Sequence, residues 1–142
     1  MSEGDRNATR IAREILQMED CPTAIFADTD HVANDVYNVA ADMGITIPDE
    51  ISVVGFSGLD FTTQMRPPLT TVMQNSVEVG KCAGRIILQR VEKERTGPMS
   101  TTRVGCELII RNSTAGPRDS KIRHNRKVNE RKVPLKALDN KG

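Results

Sequence analysis

Two short apolar runs in this 142-residue chain end on clusters of hydrogen-bonding side chains, and these clusters carry its clearest chemical potential. Thr23-Ala24-Ile25-Phe26-Ala27 runs into Asp28, Thr29 and Asp30, while Ile51-Ser52-Val53-Val54-Gly55-Phe56 runs into Ser57, Gly58 and Asp60. Carboxylates and hydroxyls at the carboxyl ends of strands are groups that bind a polyhydroxylated or amide-bearing small molecule in the crevice of an open α/β sheet. The same residues have a purely local use, because Asp28 or Thr29 can cap a following helix and Ser57-Gly58 can make a turn. Capping and binding are compatible.

Catalytic chemistry has little support. The two histidines are His31 and His124, and no Ser, Cys or carboxylate beside His31 has the pattern of an activated nucleophile. Gly55-Phe56-Ser57-Gly58 superficially suggests a phosphate loop, but neither G-x-x-x-x-G-K-[ST] nor G-x-G-x-x-G occurs, which argues against nucleotide hydrolysis. A phospho-acceptor domain would also place a lysine at the end of a later strand, and none is found there. Cys21, Cys82 and Cys106 stand singly, without C-x-x-C spacing, which reads as reduced, mostly buried thiols and not as a zinc site or a disulfide framework. The sequence therefore calls for no metal and no cofactor.

The elements that must position these clusters follow from periodicity. Ala8, Ile11, Ala12, Ile15 and Leu16 form a helical stripe within Asn7–Met18. Thr23–Ala27 reads as a strand buried on both faces. Val32, Ala33, Val36, Tyr37, Val39, Ala40 and Met43 mark a helix from Asp30 to Met43, with Gly44 at its left-handed end. Ile51–Phe56 is a second strand, and the βαβ unit so formed predicts a parallel α/β sheet with flanking helices. Leu59–Met65 predicts one or two helical turns stopped by Arg66-Pro67-Pro68. Leu69–Met73 is extended, Ser76–Arg95 is a long amphipathic helix ended by Thr96-Gly97-Pro98, and Val104–Arg111 is a last strand.

Composition agrees with one domain built on aliphatic side chains: 37% hydrophobic and 27% charged residues, no Trp, one Tyr and three Phe. The net charge of +1 conceals a division, since residues 1–114 hold 11 Lys and Arg against 16 Asp and Glu, a net of −5. Residues 115–142 hold 9 against 3, a net of +6. The basic stretch 117–142 has no sustained apolar period, so it predicts a disordered, solvated tail, without the interleaved aromatics or groove-reading module of a nucleic-acid binder. No apolar run approaches the roughly 20 residues that cross a bilayer, and Met1–Arg10 is too polar for a secretory signal, so a cytoplasmic protein with no membrane partner is expected.

The segment from Pro22 to Gly97 followed by ELIIRNSTAGP resembles the C-terminal half of the effector-binding core of LacI/GalR-type bacterial transcriptional regulators. Its most specific pieces are IPDEISVVGF, RPPLTTVMQ and ELIIRNST at the right separations, and the match covers about residues 5–117. The resemblance implies a periplasmic-binding-protein-like type I fold, of which residues 1–116 would form part, chiefly the C-terminal lobe. It implies a DNA-binding headpiece and most of an N-terminal lobe that lie outside this chain, so DNA would be contacted only through the absent headpiece. Leu69–Met73 would be a crossover between lobes. The helix at 76–95 would normally pack in the missing lobe, leaving Val79, Ala83, Ile86, Ile87 and Val91 either folded back on the body or exposed as a patch that drives association.

Carried over residue by residue, the resemblance implies effector contacts at Asp28, Thr29, Asp30, Ser57 and Gln74, for a sugar or related metabolite. Thr29 stands where the family often has an asparagine, and Ser57-Gly58 replaces a usual acidic pair, so a shorter, uncharged group replaces a sugar-binding carboxylate. It also implies a homodimer through the C-terminal lobe, with Asn34, Tyr37, Leu59, Phe61 and Met65 at the interface, where the last four would be apolar anchors or, equally, simple core. The function so implied is effector binding and dimerisation within a repressor, with ligand shifting the DNA-binding equilibrium. The alternative is a truncated structural remnant that binds no ligand; an enzyme is not expected.

Overall fold

In this computed structural model the described residues are 3–92 and 101–116. Helix α1 (Glu3–Gln17) buries Ala12 and Leu16 from the predicted stripe. Strand β1 (Ala24–Phe26) leads into α2 (Asp30–Asp42), whose Thr29 cap accepts a hydrogen bond from the Val32 N–H at 3.2 Å. Helix α2 ends at Met43, and Gly44 follows with φ +66°, the left-handed turn that glycine adopts at least cost. Strand β2 spans Ser52–Ser57, a single 3₁₀ turn covers Asp60–Thr63, and β3 spans Thr70–Gln74. Helix α3 (Ser76–Val91) and β4 (Cys106–Ile109) complete the fold. The stop at Thr96-Gly97-Pro98, and the whole of 117–142, lie outside the described residues.

The sheet has the order β1-β2-β3-β4. β1 pairs with β2 and β2 with β3 in parallel, as the βαβ pattern predicts, but β4 pairs antiparallel to β3, with Gln74 opposite Cys106 and Thr71 opposite Ile109. The sheet is therefore mixed. The reason lies in α3: a crossover helix lying over the sheet would return the chain to the opposite end, whereas α3 buries no residue and the chain re-enters beside the end of β3 that it left.

The core lies on one face. α2 packs on β2 and contributes Ala33, Val36, Tyr37, Val39 and Ala40, against which Ile51, Val53, Met65, Leu69 and α1 close. Since side chains alternate along a strand, Val53, Gly55 and Thr71 point to this covered side while Phe26, Phe56, Val72 and Leu108 point to the other. The expectation that β1 is buried on both faces fails accordingly. Phe26 is 64% exposed at the sheet edge, its ring edge-on to Phe56 with centroids 6.5 Å apart. The thiols also depart from expectation, with Cys21 and Cys82 half-buried and Cys106 exposed.

After β4 the chain rejoins the body. The Arg111 N–H donates to Thr70 Oγ1 at 2.9 Å and its guanidinium to Thr62 Oγ1 at 3.1 Å. Ser113, fully buried, donates to the Val53 carbonyl at 2.6 Å and accepts from the Thr70 N–H at 2.8 Å. Both buried backbone groups are thus satisfied by one hydroxyl.

Candidate functional site

Parallel pairing aligns the carboxyl ends of β1, β2 and β3 along one sheet edge, and the predicted residues sit there. Asp28 is exposed and Thr29 half-buried, with Oγ1 committed to the Val32 N–H. Ser57, the last residue of β2, has φ 133°, a left-handed conformation that a residue with a Cβ rarely adopts. Gly58 follows with φ +77°, and a Cβ there would lie 2.8 Å from Met73 Cα, so the turn presses on β3 one residue before Gln74.

Gln74 lines a groove of about 400 Å³ with Met73, Asn75, Val77, Cys106 and Glu107, where β3 passes into α3 and β4 begins. The Asn75 side chain caps α3 by accepting from the Glu78 N–H at 3.0 Å. Asp28, Thr29 and Ser57 do not line this groove. The structure therefore joins the predicted residues through the turn's contact with β3 and not in one enclosed cavity.

Asp30 occupies a different position from the one the sequence suggested. Its side chain is fully buried, Oδ2 accepts from the Leu59 N–H at 2.7 Å, and Oδ1 accepts from the Thr71 hydroxyl at 2.6 Å. Both oxygens are engaged by protein, so Asp30 supports the turn from beneath and presents nothing to the open edge. Gly55 makes room for it: a Cβ at residue 55 would stand 2.3 Å from Asp30 Oδ1. Thr71 and Gly55 escaped sequence reasoning, although a Thr-Thr pair at 70–71 inside an otherwise apolar strand was the signal for buried hydroxyls with designated partners.

The expected dimer residues divide. Tyr37 and Met65 are buried in the core of this same lobe, the Tyr37 O–H donating to the Pro67 carbonyl at 3.0 Å. Burial raises the phenol pKa to about 12, with the Ser113 side chain opposing the shift. Asn34 and Phe61 are half-buried and Leu59 is 37% exposed. The Phe61 ring lies 5.2 Å from that of exposed His31.

A parallel three-stranded core with helices on one face and a strained polar turn at its carboxyl edge is the architecture of one lobe of an open α/β domain. Residues 1–114 match the periplasmic binding protein-like domain, and the chain belongs to that family. It is 33% identical over 106 residues to the HTH-type transcriptional repressor CytR of Escherichia coli K12, covering 75% of this chain and 31% of that one. It is 35% identical over 107 residues to the HTH-type transcriptional repressor PurR of Photobacterium profundum, covering 75% and 32%. Among solved structures it resembles a LacI family transcriptional regulator from Enterococcus faecalis V583 with bound ribose, at 29% identity and a TM-score of 0.71, covering 80% and 42%. The chain spans about a third of the length of the curated relatives it matches.

Proposed function

We propose that this chain supplies one wall of a sugar-binding cleft in a LacI-type transcriptional repressor, and that ligand bound at the carboxyl edge of β1–β3 biases the regulator's affinity for DNA. DNA contact and the facing wall of the cleft are assigned to segments other than residues 3–116. The reading gives the chain no catalytic step. The observation that carries it is Ser57. A non-glycine residue held at φ 133° costs on the order of 1–3 kcal/mol, and such strain persists where the surrounding structure fixes a backbone for recognition. The strained residue here is a serine, able to donate and accept, at the strand end where open α/β sheets bind ligands. Asp28, Thr29 and Gln74 flank it in this reading, and the relative with bound ribose makes a pentose the first compound to try.

The same reading gives the chain a dimer-forming surface at Asn34, Leu59 and Phe61, in a regulator that works in the cytoplasm. The test is calorimetric titration of a complete two-lobed regulator carrying this chain with ribose and a panel of other pentoses and hexoses, paired with thermal melts. Binding to the folded state at a hundred times Kd adds about 2.7 kcal/mol of stability. A sugar that raises Tm for the parent chain and not for Ser57→Val supports the proposal. A panel that leaves Tm unmoved leaves the alternative, a lobe with a structural role and no ligand of its own.

A further inference from the structure

We propose that Asp30 is the positioning residue of this edge, a buried latch that holds the turn after β2 in register with β3. It rests on the ligand-site reading only for what the latched segments present; the latch itself stands on geometry. One carboxyl group, without exposed surface, meets three separate stretches of chain. Its own residue opens α2 directly after Thr29. Through Oδ2 it fixes the Leu59 N–H, two residues past strained Ser57, and through Oδ1 it fixes the Thr71 hydroxyl, three residues before Gln74. The distances are 2.7 and 2.6 Å, and Gly55 provides the vacancy in which the carboxyl group sits.

A strained turn relaxes unless something outside it holds it. The Leu59–Asp30 bond does so from below, and the Gly58–Met73 contact does so from the side. Both restraints converge on β3, one through Thr71 and one directly. A shift of β3, the strand that leads out of the sheet into α3, is therefore transmitted to the Ser57 backbone, and a change of that backbone is transmitted to β3. The latch thereby couples the shape of the ligand edge to the path of the chain leaving it.

Native-state hydrogen exchange on the whole chain tests this without a ligand. Thr71 does not hydrogen-bond the turn, and Thr71→Val keeps its shape while removing the hydroxyl. Exchange at the Leu59 amide should accelerate at least about ten-fold relative to the Val53 amide, which bonds to the Ser113 carbonyl outside the latch. Thr71→Ser, which keeps the donor, should restore the parent ratio. Asp30→Ala, which removes both acceptors, should give the same selective loss at Leu59, with Thr71→Val adding nothing to it. An unchanged Leu59-to-Val53 ratio in Thr71→Val, or a uniform acceleration of every amide, overturns the latch. Ribose titration of the two-lobed regulator carrying this chain judges the ligand reading separately: the selective Leu59 response without ribose binding supports the latch and counts against the pentose.

Discussion

Helices α2 and α3 carry nearly the same sequence pattern and meet opposite fates. Both are capped by a polar side chain, Thr29 in one and Asn75 in the other, and both carry an apolar stripe. α2 buries Ala33, Val36, Tyr37, Val39 and Ala40 against β2 and α1, whereas α3 buries nothing, and its Val77, Val79, Ile87, Leu88 and Val91 are all exposed. Amphipathicity states that a helix has a face to hide; it does not state against what. In α2 the partner is adjacent in sequence and joined by the right-handed βαβ connection, while no described element covers α3. The described residues thus form a cored body, which includes the returning segment at 111–113, and a limb of α3 and β4 attached along β3.

The sharpest way to break that comparison is to cut equal apolar volume from each part. Leu69→Ala, at a fully buried site, should lower unfolding stability by about 3 kcal/mol through lost burial and the cavity left behind. Ile87→Ala, at a side chain 61% exposed on α3, should stay within about 0.5 kcal/mol. Urea titrations that give the two a similar cost would mean that α3 is packed in solution. Glycines sharpen the contrast. Gly55→Ala forces a methyl group against Asp30 and Leu69 and should cost about 2 to 3 kcal/mol, while Gly84→Ala meets nothing within 4 Å and should add helix, stabilising α3 by about 0.5 to 1 kcal/mol. Far-ultraviolet circular dichroism reads the second effect directly.

Ser113 sets the boundary between the two parts. It follows the limb in sequence but belongs to the body by its bonds, since its hydroxyl satisfies both the Val53 carbonyl and the Thr70 N–H. Ser113→Ala leaves two buried backbone groups without that partner and should cost about 2 kcal/mol, more than any truncation on α3. A loss below about 0.5 kcal/mol in the same titration would place 111–116 with the limb.

Which of these features the sequence discloses follows from how local their causes are. The first three strands, both body helices and the turn at 60–63 are legible because period, caps and prolines act within a few residues. The antiparallel return of β4 is not, because it depends on α3 failing to cover the sheet, a tertiary fact. At the site, Ser57 and Asp28 are legible as polar ends of apolar strands. The role of Asp30 is not, since an aspartate that opens a helix looks the same in sequence whether it faces a cleft or, as here, bonds to Leu59 and Thr71 across 29 and 41 positions. Whether Tyr37 and Met65 serve the core or a partner surface is illegible for a related reason. A stripe wider than one face leaves open which edge meets the core and which meets a partner.

Tyr37 offers the smallest and most specific check on where the body's interior ends. It is the chain's one tyrosine, and there is no tryptophan, so near-ultraviolet absorbance on raising pH reads this phenol alone. In the folded body burial raises its pKa from 10 to about 12, while in the unfolded chain it titrates near 10. The unfolded state therefore releases its proton first. Below pH 10 the neutral phenol contributes its full stabilisation, and between pH 10 and 12 that contribution drains away, because unfolding becomes coupled to ionisation. Tyr37→Phe should be about 1 kcal/mol less stable than the parent chain at pH 8 from the lost bond to Pro67, and the gap should narrow steadily above pH 10. A gap that stays constant to pH 11.5, or a phenol that titrates near 10 while the chain remains folded, would mean that Tyr37 meets water and returns it to the surface with Leu59 and Phe61.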